Sequence, residues 1–343
     1  MNSHSISIHF GTYSHGGSFF PGSTGKGILS SKFNLVTGKF SDPVLLGQPI
    51  NPAWIHIAEG HLFAASETFE EPGFVHGFDI GADGSLNQQR TYPAAGRATC
   101  HITTDAHHLY ATSYLDGLLA VYPRNGASLG EPQIIRYSGS GPNRSRQESA
   151  HAHQAVISPD GRFLYVCDLG TDSIYRHEIS AKGLGQAHSI KLASGCGPRH
   201  LVMHPSAPWL WVACELEPIV CTLSSQRGEL GKLRVCRLPG AQSGTAAAIR
   251  LHPSGKLLGV SERVTHSICL FAIHEDGSLS ASSQIQGEGR TPRDFAFTPD
   301  GQWLVASFQD SHLIESYRLD ADLQPQSQPA DRLQIHSPAC VAI

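Results

Sequence analysis

Charged residues are scarce in this chain of 343 residues: Asp, Glu, Lys and Arg together make up 16% of it, against roughly 25% in typical soluble domains. Long solvated helices need charged residues on their outer faces, so this composition argues against a helical bundle or a coiled coil. Methionine occurs only twice, and the net charge is −4. A nucleic-acid binding surface requires an excess of basic residues, which this composition does not provide. We therefore expect no nucleic acid among the partners of this protein.

Long apolar runs are also missing. No stretch of 18 consecutive apolar residues occurs, so a membrane span is not expected. The opening segment MNSHSISIHFGTY has neither the basic nor the apolar region of a signal peptide. The eight cysteines form no CxxC pair, and several of them lie in apolar, strand-like runs, which favours buried, reduced thiols. These features predict a cytoplasmic protein that has no membrane partner.

Turn-forming residues, by contrast, are abundant. The chain contains 35 glycines and 21 prolines, a share above the average for globular proteins. Apolar residues make up 40% of the sequence, which is enough to form a core and excludes a disordered chain. Many turns and a normal core together favour a structure made of short strands.

A repeated segment of about 20 residues organises the whole chain. Its copies start 46–53 residues apart and share an apolar strand, a turn and a second apolar strand. The copies are HAHQAVISPDGRFLYVCDL (151–169), GPRHLVMHPSAPWLWVACE (197–215), TAAAIRLHPSGKLLGVSER (245–263), TPRDFAFTPDGQWLVASFQ (291–309), the weaker NPAWIHIAEGHLFAASE (51–67) and ATCHITTDAHHLYATSY (98–114), and the truncated SPACVAI (337–343). Seven repeats of one short structural unit are therefore present.

Each repeat predicts four strands, which we call A to D, with a turn such as Pro159-Asp160-Gly161 between A and B. Four short strands in a repeat of about 40–50 residues are typical of one β-propeller blade. The last repeat stops after strand A, whereas ISIHFGTY and KGILSSKFNL near the start read as strands B and C. We predict an all-β, seven-bladed propeller formed by residues 1–343 as a single domain. N-terminal strands that pair with the C-terminal strand close its ring.

Positions where one repeat departs from the others are the candidates for function. Strands A and B form a hairpin, so the start of A and the end of B should meet at one mouth of the central channel. The column at the start of A contains Ala53, Cys100, His153, Arg199, Ala247, Arg293 and Ala339. The column after strand B contains Tyr13, Glu67, Tyr114, Leu169, Glu215, Arg263 and Gln309. Such a ring of His, Arg and Glu predicts a site for an anionic small molecule.

Within this ring, four residues from consecutive blades are the preferred site residues: His153, Arg199, Glu215 and Arg263. For Tyr13 and Glu67 we favour contacts between blades, because their blades should lie across the ring from those four residues.

The segment before His153 adds two hypotheses. His151 and His153 are two residues apart in a predicted strand, so both side chains should share one face, and such a pair can bind zinc. No third ligand follows at a recognisable spacing, so we do not favour a metal site. The polar loop 138–149, which carries Arg144 and Arg146, reads either as a solvated connector or as a lid that clamps an anion.

Several of these segments resemble the propeller-type 6-phosphogluconolactonases of bacteria, a family that includes the fungal 3-carboxy-cis,cis-muconate lactonizing enzyme. The resemblance covers essentially the whole chain and rests on RQESAHAHQAVISPDGRFLYVCDLGTDSIY, GPRHLVMHP, the Glu after WVAC, SERVTHSI, GTYS and TPRDFAFTPDG. It implies a catalytic set of His153, Arg199, Glu215 and Arg263, and it implies no metal or organic cofactor. One departure is Trp54, where Ser-Tyr is common in the family.

Lactone hydrolysis needs an activated water, stabilisation of an oxyanion and a proton for the leaving alkoxide. Glu215 or His153 could act as the base, and arginines suit the oxyanion and a second anionic group. Further candidate substrate-binding residues are His151, His200, Arg293, Arg146 and Gln309. We expect an anionic sugar lactone as substrate, with 6-phosphogluconolactone first, and a monomer or weak homo-oligomer active in carbohydrate metabolism.

Three alternatives stay open. The same base and arginines could serve a carboxymuconate-type cycloisomerase. A non-catalytic propeller that binds a partner protein is the second alternative, since a fold does not determine a function. A metal-dependent propeller lactonase of the gluconolactonase and regucalcin kind is the third, but the Glu, Asn and Asp ligands that it needs around the axis are not recognisable.

Overall fold

The computed structural model describes residues 4–17 and 19–343, except for the side chains of residues 232 and 233. Thirty strands provide the regular secondary structure of this described part. The strands form seven antiparallel sheets, five with four strands and two with five. Each sheet is one blade, and its innermost strand is strand A of the repeat. No helix in the described ranges is long and apolar enough to cross a membrane.

The first blade contains β1 (Ser5–Thr12), β2 (Ile28–Asn34), β3 (Val44–Gly47) and β30 (Pro338–Ala342), and the second contains β4 (Pro52–Ala58), β5 (His61–Ser66), β6 (Phe74–Ile80) and β7 (Leu86–Pro93). The third blade contains β8 (Thr99–Thr104), β9 (His108–Ser113), β10 (Leu118–Asn125), β11 (Ser128–Leu129) and β12 (Gln133–Arg136). The fourth blade contains β13 (Ala152–Ile157), β14 (Phe163–Asp168), β15 (Ser173–Ser180), β16 (Gly183–Leu184) and β17 (His188–Lys191).

The other three blades are β18 (Pro198–Met203), β19 (Trp209–Cys214), β20 (Ile219–Gln226) and β21 (Glu229–Arg237); β22 (Ala246–Leu251), β23 (Leu257–Glu262), β24 (Ser267–Ile273) and β25 (Leu279–Gln286); and β26 (Pro292–Phe297), β27 (Trp303–Phe308), β28 (Leu313–Arg318) and β29 (Asp331–Gln334).

The first blade closes the ring. Its strands β1, β2 and β3 come from the start of the chain, and β30 from the end pairs antiparallel with β1, with His9 opposite Ala342 and Phe10 opposite Val341. The inner strands contact one another around the ring, including β30 with β4. The predicted seven-bladed propeller and its mode of closure are therefore confirmed.

Apolar side chains between neighbouring blades form the core. Trp303 packs against Phe33 of the first blade, and its indole N–H donates to the Leu35 carbonyl over 2.8 Å. Gly38 has a φ of +71°, and an added Cβ atom there would lie 2.2 Å from the Trp303 ring, so a side chain at this position would break the contact between the two blades. Seven of the eight cysteines are buried, as the sequence predicted.

Candidate active site

A β-bulge turns one residue of each inner strand out of the regular pairing. In β13, Ala152 pairs with Asp168 and Gln154 with Cys167, so His153 is the extra residue between them. The same register shift isolates Arg199 in β18 and Arg293 in β26. Bulges re-aim side chains and are frequent beside active sites. The other four blades have the same kind of bulge. The bulges therefore orient the residues at the start of strand A, the first column identified from the sequence, towards the channel.

The second column is held beside the first by one repeated hydrogen bond. The residue after each strand B donates its backbone N–H to the carbonyl just before strand A; Glu215 donates to Gly197 over 2.7 Å and Glu67 to Asn51 over 2.9 Å. All seven blades make this bond. The prediction that the start of A and the end of B meet at one channel mouth is confirmed.

Glu215 lies at the centre of three arginines. Its Oε1 atom accepts a hydrogen bond from Arg146 Nη2 over 2.5 Å and lies 3.1 Å from Arg263 Nη2. Arg199 Nε is 2.9 Å from Oε2, but its N–H does not point at that oxygen and makes no hydrogen bond. Three of the four preferred residues are thus in direct contact, and the loop that carries Arg146 adds a fourth charge.

Electrostatics keeps Glu215 ionised in this cluster. Burial on its own would raise the pKa of Glu215, but the positive charges of Arg263, Arg199 and Arg146 hold that pKa well below its usual value. Burial lowers the pKa of Arg199 to about 10, and the negative charge of Glu215 opposes this decrease. At neutral pH the cluster therefore combines one carboxylate with three guanidinium groups.

His153 lies beside this cluster in a buried position. Its Nδ1 atom is 3.8 Å from the Cys100 sulfur, and its ring centroid is 5.1 Å from that of His200. Burial, followed by the charge of Arg199, lowers the pKa of His153 well below its usual value. The imidazole is therefore neutral at physiological pH and can accept a proton.

A second charged cluster faces the same mouth. The Tyr13 hydroxyl donates to Glu67 Oε2, which also lies 3.4 Å from Arg293 Nη2. The Arg293 guanidinium stacks 5.0 Å above the centre of the Tyr13 ring. Sequence reasoning favoured contacts between blades for Tyr13 and Glu67, and those contacts exist. It missed that Glu67 also reaches the cavity beside His153 and Arg199.

We call the space between the two clusters the upper cavity. Its volume is about 10 Å³, which is enough for about one water molecule, so a larger ligand requires side chains to move. The two clusters together contain four arginines and two glutamates, an excess of two positive charges. The main lining residues are Glu67, Cys100, His153, Arg199, His200 and Arg293.

The loop 138–149 fixes Arg146 above Glu215. Gln147 is fully buried, and its amide donates to Asp172 Oδ1 over 2.7 Å and to the Leu169 carbonyl over 2.8 Å. The Arg146 side chain remains 41% exposed, so it can turn away while the loop stays in place. Arg144 is exposed and forms no ion pair with any described residue.

The remaining predicted residues lie in three different settings. His200 lines the upper cavity. His151 precedes β13 and binds Glu148 over 3.1 Å and the Tyr114 carbonyl over 2.9 Å. Gln309 follows β27 and donates to Asp310 over 3.3 Å, and no hydrogen bond or ion pair joins it to either cluster in the described chain.

The rings of His151 and His153 both lie beside Tyr114, with centroids 4.4 Å and 5.6 Å from that of its ring, although not through the strand geometry expected from the sequence. His151 lies outside the strand and His153 occupies the bulge, so the regular alternation on which that expectation depended does not exist. Among the described residues, no group of three His, Cys, Asp or Glu side chains is arranged to hold a metal ion.

The fold and this mouth define a class of protein: a closed seven-bladed propeller with an arginine-rich mouth at one end of its channel. Residues 7–343 match the family model described as lactonase, 7-bladed beta-propeller. The chain belongs to this lactonase family and is accordingly a lactonase-type enzyme, as the sequence predicted.

Individual relatives agree with this assignment. The 6-phosphogluconolactonase of Bacillus subtilis is 27% identical over 345 residues, which cover 97% of each chain. A crystal structure from Bacteroides fragilis matches the fold with a TM-score of 0.92 at 24% identity, covering 99% of this chain and 98% of that one. The periplasmic gluconolactonase of Pseudomonas aeruginosa matches with a TM-score of 0.89 at 25% identity, covering 98% of this chain and 98% of that one.

Proposed function

We propose that this protein hydrolyses an anionic sugar lactone of the 6-phosphogluconolactone type at the mouth that contains Glu215. The excess of two positive charges among four arginines and two glutamates carries this proposal. One lactone needs about one oxyanion stabiliser, so the surplus charge suits a second anionic group on the substrate. A phosphate or a carboxylate supplies such a group, and guanidinium binds both in bidentate fashion.

Arg199 is the strongest candidate for contact with the reacting ester. It is 3% exposed, its Nη1 donates to the Ala247 carbonyl over 2.8 Å, and its Nε–H has no acceptor within the described chain. Nε lies 2.9 Å from Glu215 Oε2, but a developing oxyanion in line with its N–H would add the hydrogen bond that this ion pair does not make. Arg146 and Arg263 are more exposed and would hold the distal phosphate or carboxylate.

For the base, we favour His153 over Glu215. The upper cavity is lined by the neutral His153 imidazole and has room for about one water molecule. Both oxygens of Glu215 are engaged by arginines, which leaves them less free than the His153 ring to accept a proton from water. In this proposal Glu215 positions the arginines, and its negative charge stabilises the imidazolium form of His153.

The proposed reaction has two steps. His153 removes a proton from water while the water oxygen bonds to the lactone carbonyl carbon, and the carbonyl electrons move to the oxygen that Arg199 stabilises. The tetrahedral intermediate then collapses, the ring C–O bond breaks, and the leaving alkoxide takes the proton from the His153 imidazolium. One water is consumed and one hydroxy acid is formed.

Inorganic phosphate and citrate are expected to inhibit the reaction competitively, because each can occupy the arginines. Arg199→Lys should lower kcat about tenfold, since a point charge replaces the planar guanidinium that stabilises the oxyanion. Arg146→Ala, at a more exposed position, should weaken phosphate inhibition. Initial rates over a grid of substrate and anion concentrations measure both effects.

Arg144→Ala is the matched control for that experiment, since Arg144 lies on the same loop without contacting Glu215. Equal phosphate inhibition of Arg146→Ala and the unchanged protein would separate Arg146 from anion binding. Turnover of a neutral lactone that neither anion affects would overturn the proposed substrate class.

The pH dependence should report the proton acceptor. His153 must be unprotonated to act as a base, and its pKa in the free enzyme lies well below 6.5 because of burial. Activity should therefore stay constant from neutral pH down past 6.5 and fall only at more acidic pH. A profile of kcat/KM against pH checks this, and an acidic limb centred at or above 6.5 would exclude His153 in the observed environment.

We also propose a cytoplasmic location, because eight cysteines, seven of them buried, suit a reducing compartment. The relative from Pseudomonas aeruginosa is named as periplasmic. Fractionation of the native cells decides between the two: recovery of the protein with periplasmic markers would contradict the proposal.

A further inference from the structure

The channel has a second cavity at its other end, where the inner strands finish. This lower cavity has a volume of about 710 Å³ and receives residues from all seven blades. Small-molecule sites in proteins typically span about 300–1,000 Å³, so the lower cavity has the size of a ligand site. The charged residues of the proposed reaction do not lie here.

A partition of aromatic rings separates the two cavities. Trp54 lines both of them. Its ring centroid lies 4.3 Å from that of His101 and 5.5 Å from that of His200. A ligand in the lower cavity would therefore contact the other face of the partition without reaching Glu215.

The walls of the lower cavity are mainly apolar. Half-buried aliphatic and aromatic side chains project from successive inner strands; they include Ile57, Ile157, Val202, Leu251, Ala296 and Phe297. Such walls favour the apolar body of a ligand over an extended polar chain.

Two polar groups beside Trp54 have unused hydrogen-bonding capacity. His101 is 4% exposed, and its Nδ1 atom is buried without a partner among the described residues. Arg250 lies 5.1 Å from the centre of the Trp54 ring. Its Nε donates to the Phe295 carbonyl and its Nη2 to Asp294, while Nη1 has no acceptor in the described chain.

The charges around these two groups select the ligand's polar end. Asp294 neutralises Arg250 at 2.7 Å, and burial keeps the pKa of His101 well below its usual value, so that its ring is uncharged. At the rim, Asp105 already accepts from the Tyr110 hydroxyl, and His56 pairs with Thr104. Among the described residues that line the lower cavity, Arg250 is the one cation, and Asp105 and Asp294 are both acidic, so this lining has no positive excess to hold an anion.

We propose that the lower cavity binds a small uncharged phenol. A hydroxyl group both donates and accepts, so it can donate to a His101 nitrogen and accept from Arg250 Nη1. The aromatic ring would lie against the apolar walls and Trp54. This site is independent of the lactone site, and the proposal does not rest on the proposed reaction.

Calorimetric titration of the full chain with 4-methylphenol tests the proposal, with toluene and 4-methylbenzoate as matched probes. We expect saturable binding of one 4-methylphenol per chain and at least about tenfold weaker binding of both analogues, because each lacks the neutral hydroxyl. Excess citrate, which targets the upper cavity, should not compete.

Two variants locate the bound phenol. His101→Phe keeps an aromatic ring beside Trp54 but removes the nitrogens, and it should weaken binding about tenfold. Ala296→Leu adds volume to the apolar wall of the lower cavity and replaces no polar group, so it should also weaken binding. It keeps the test available if His101→Phe does not fold. Absence of saturable binding, competition by citrate, or unchanged binding in a folded variant would overturn the proposal.

Discussion

Glu215→Gln is expected to lower kcat by about 100-fold or more, comparable with the loss of a key transition-state group. Glutamine has nearly the same shape, but it removes the negative charge that Arg146, Arg199 and Arg263 share. Arg199 is buried and would lose Glu215, its one ionic partner among the described residues, so the free energy of unfolding should also fall, by about 3 kcal/mol. Steady-state kinetics and chemical denaturation measure the two effects separately.

Glu262→Gln provides the matched control for this prediction. Glu262 is a buried glutamate of the next blade, and its carboxylate accepts from Thr245 and Thr265 instead of arginines. Its substitution should change stability with a much smaller change in kcat. Near-normal turnover by Glu215→Gln would remove Glu215 from the mechanism.

His153→Gln is expected to have the other large effect, a decrease in kcat of about 10²- to 10⁴-fold with little change in KM. The substitution removes the proposed proton acceptor but leaves the arginines that bind the substrate in place. Because His153 contacts Cys100 and His200 by packing, the fold should persist, and circular dichroism with a thermal melt checks this. Single-turnover measurements then isolate the chemical step.

His151→Gln is the internal comparison for His153. His151 is equally buried, but its ring nitrogens bind Glu148 and the Tyr114 carbonyl. We expect a clearly smaller decrease in kcat from this variant. Equal decreases in the two variants would mean that both histidines act by packing, and Glu215 would become the preferred base.

The repeat made the fold predictable, because seven copies of one strand–turn–strand unit leave few other architectures. It also placed Glu215 and Arg263 correctly, since the position after strand B depends only on hairpin geometry. The truncated last copy predicted the pairing of β1 with β30. These inferences depend on local spacing, which a sequence contains directly.

The bulges and the loop could not be predicted in the same way. Regular alternation placed His151 and His153 on one face, whereas the bulge at His153 interrupts that alternation and the two rings meet at Tyr114 instead. Arg146 reaches Glu215 because Gln147 is held by Asp172, a contact between distant segments. Glu67 was assigned to packing because its blade lies across the ring from the blade of His153. The channel of a seven-bladed propeller is narrow enough, however, for Glu67 and His153 to line one cavity.

The most direct test of the proposed function compares kcat/KM for 6-phosphogluconolactone with kcat/KM for unphosphorylated gluconolactone in the same buffer. The arginine excess at the mouth predicts a preference of about 100-fold or more for the phosphorylated lactone, since charge-assisted hydrogen bonds contribute about 1.5–3 kcal/mol each. Equal values, or a preference for the neutral lactone, would contradict an anionic substrate.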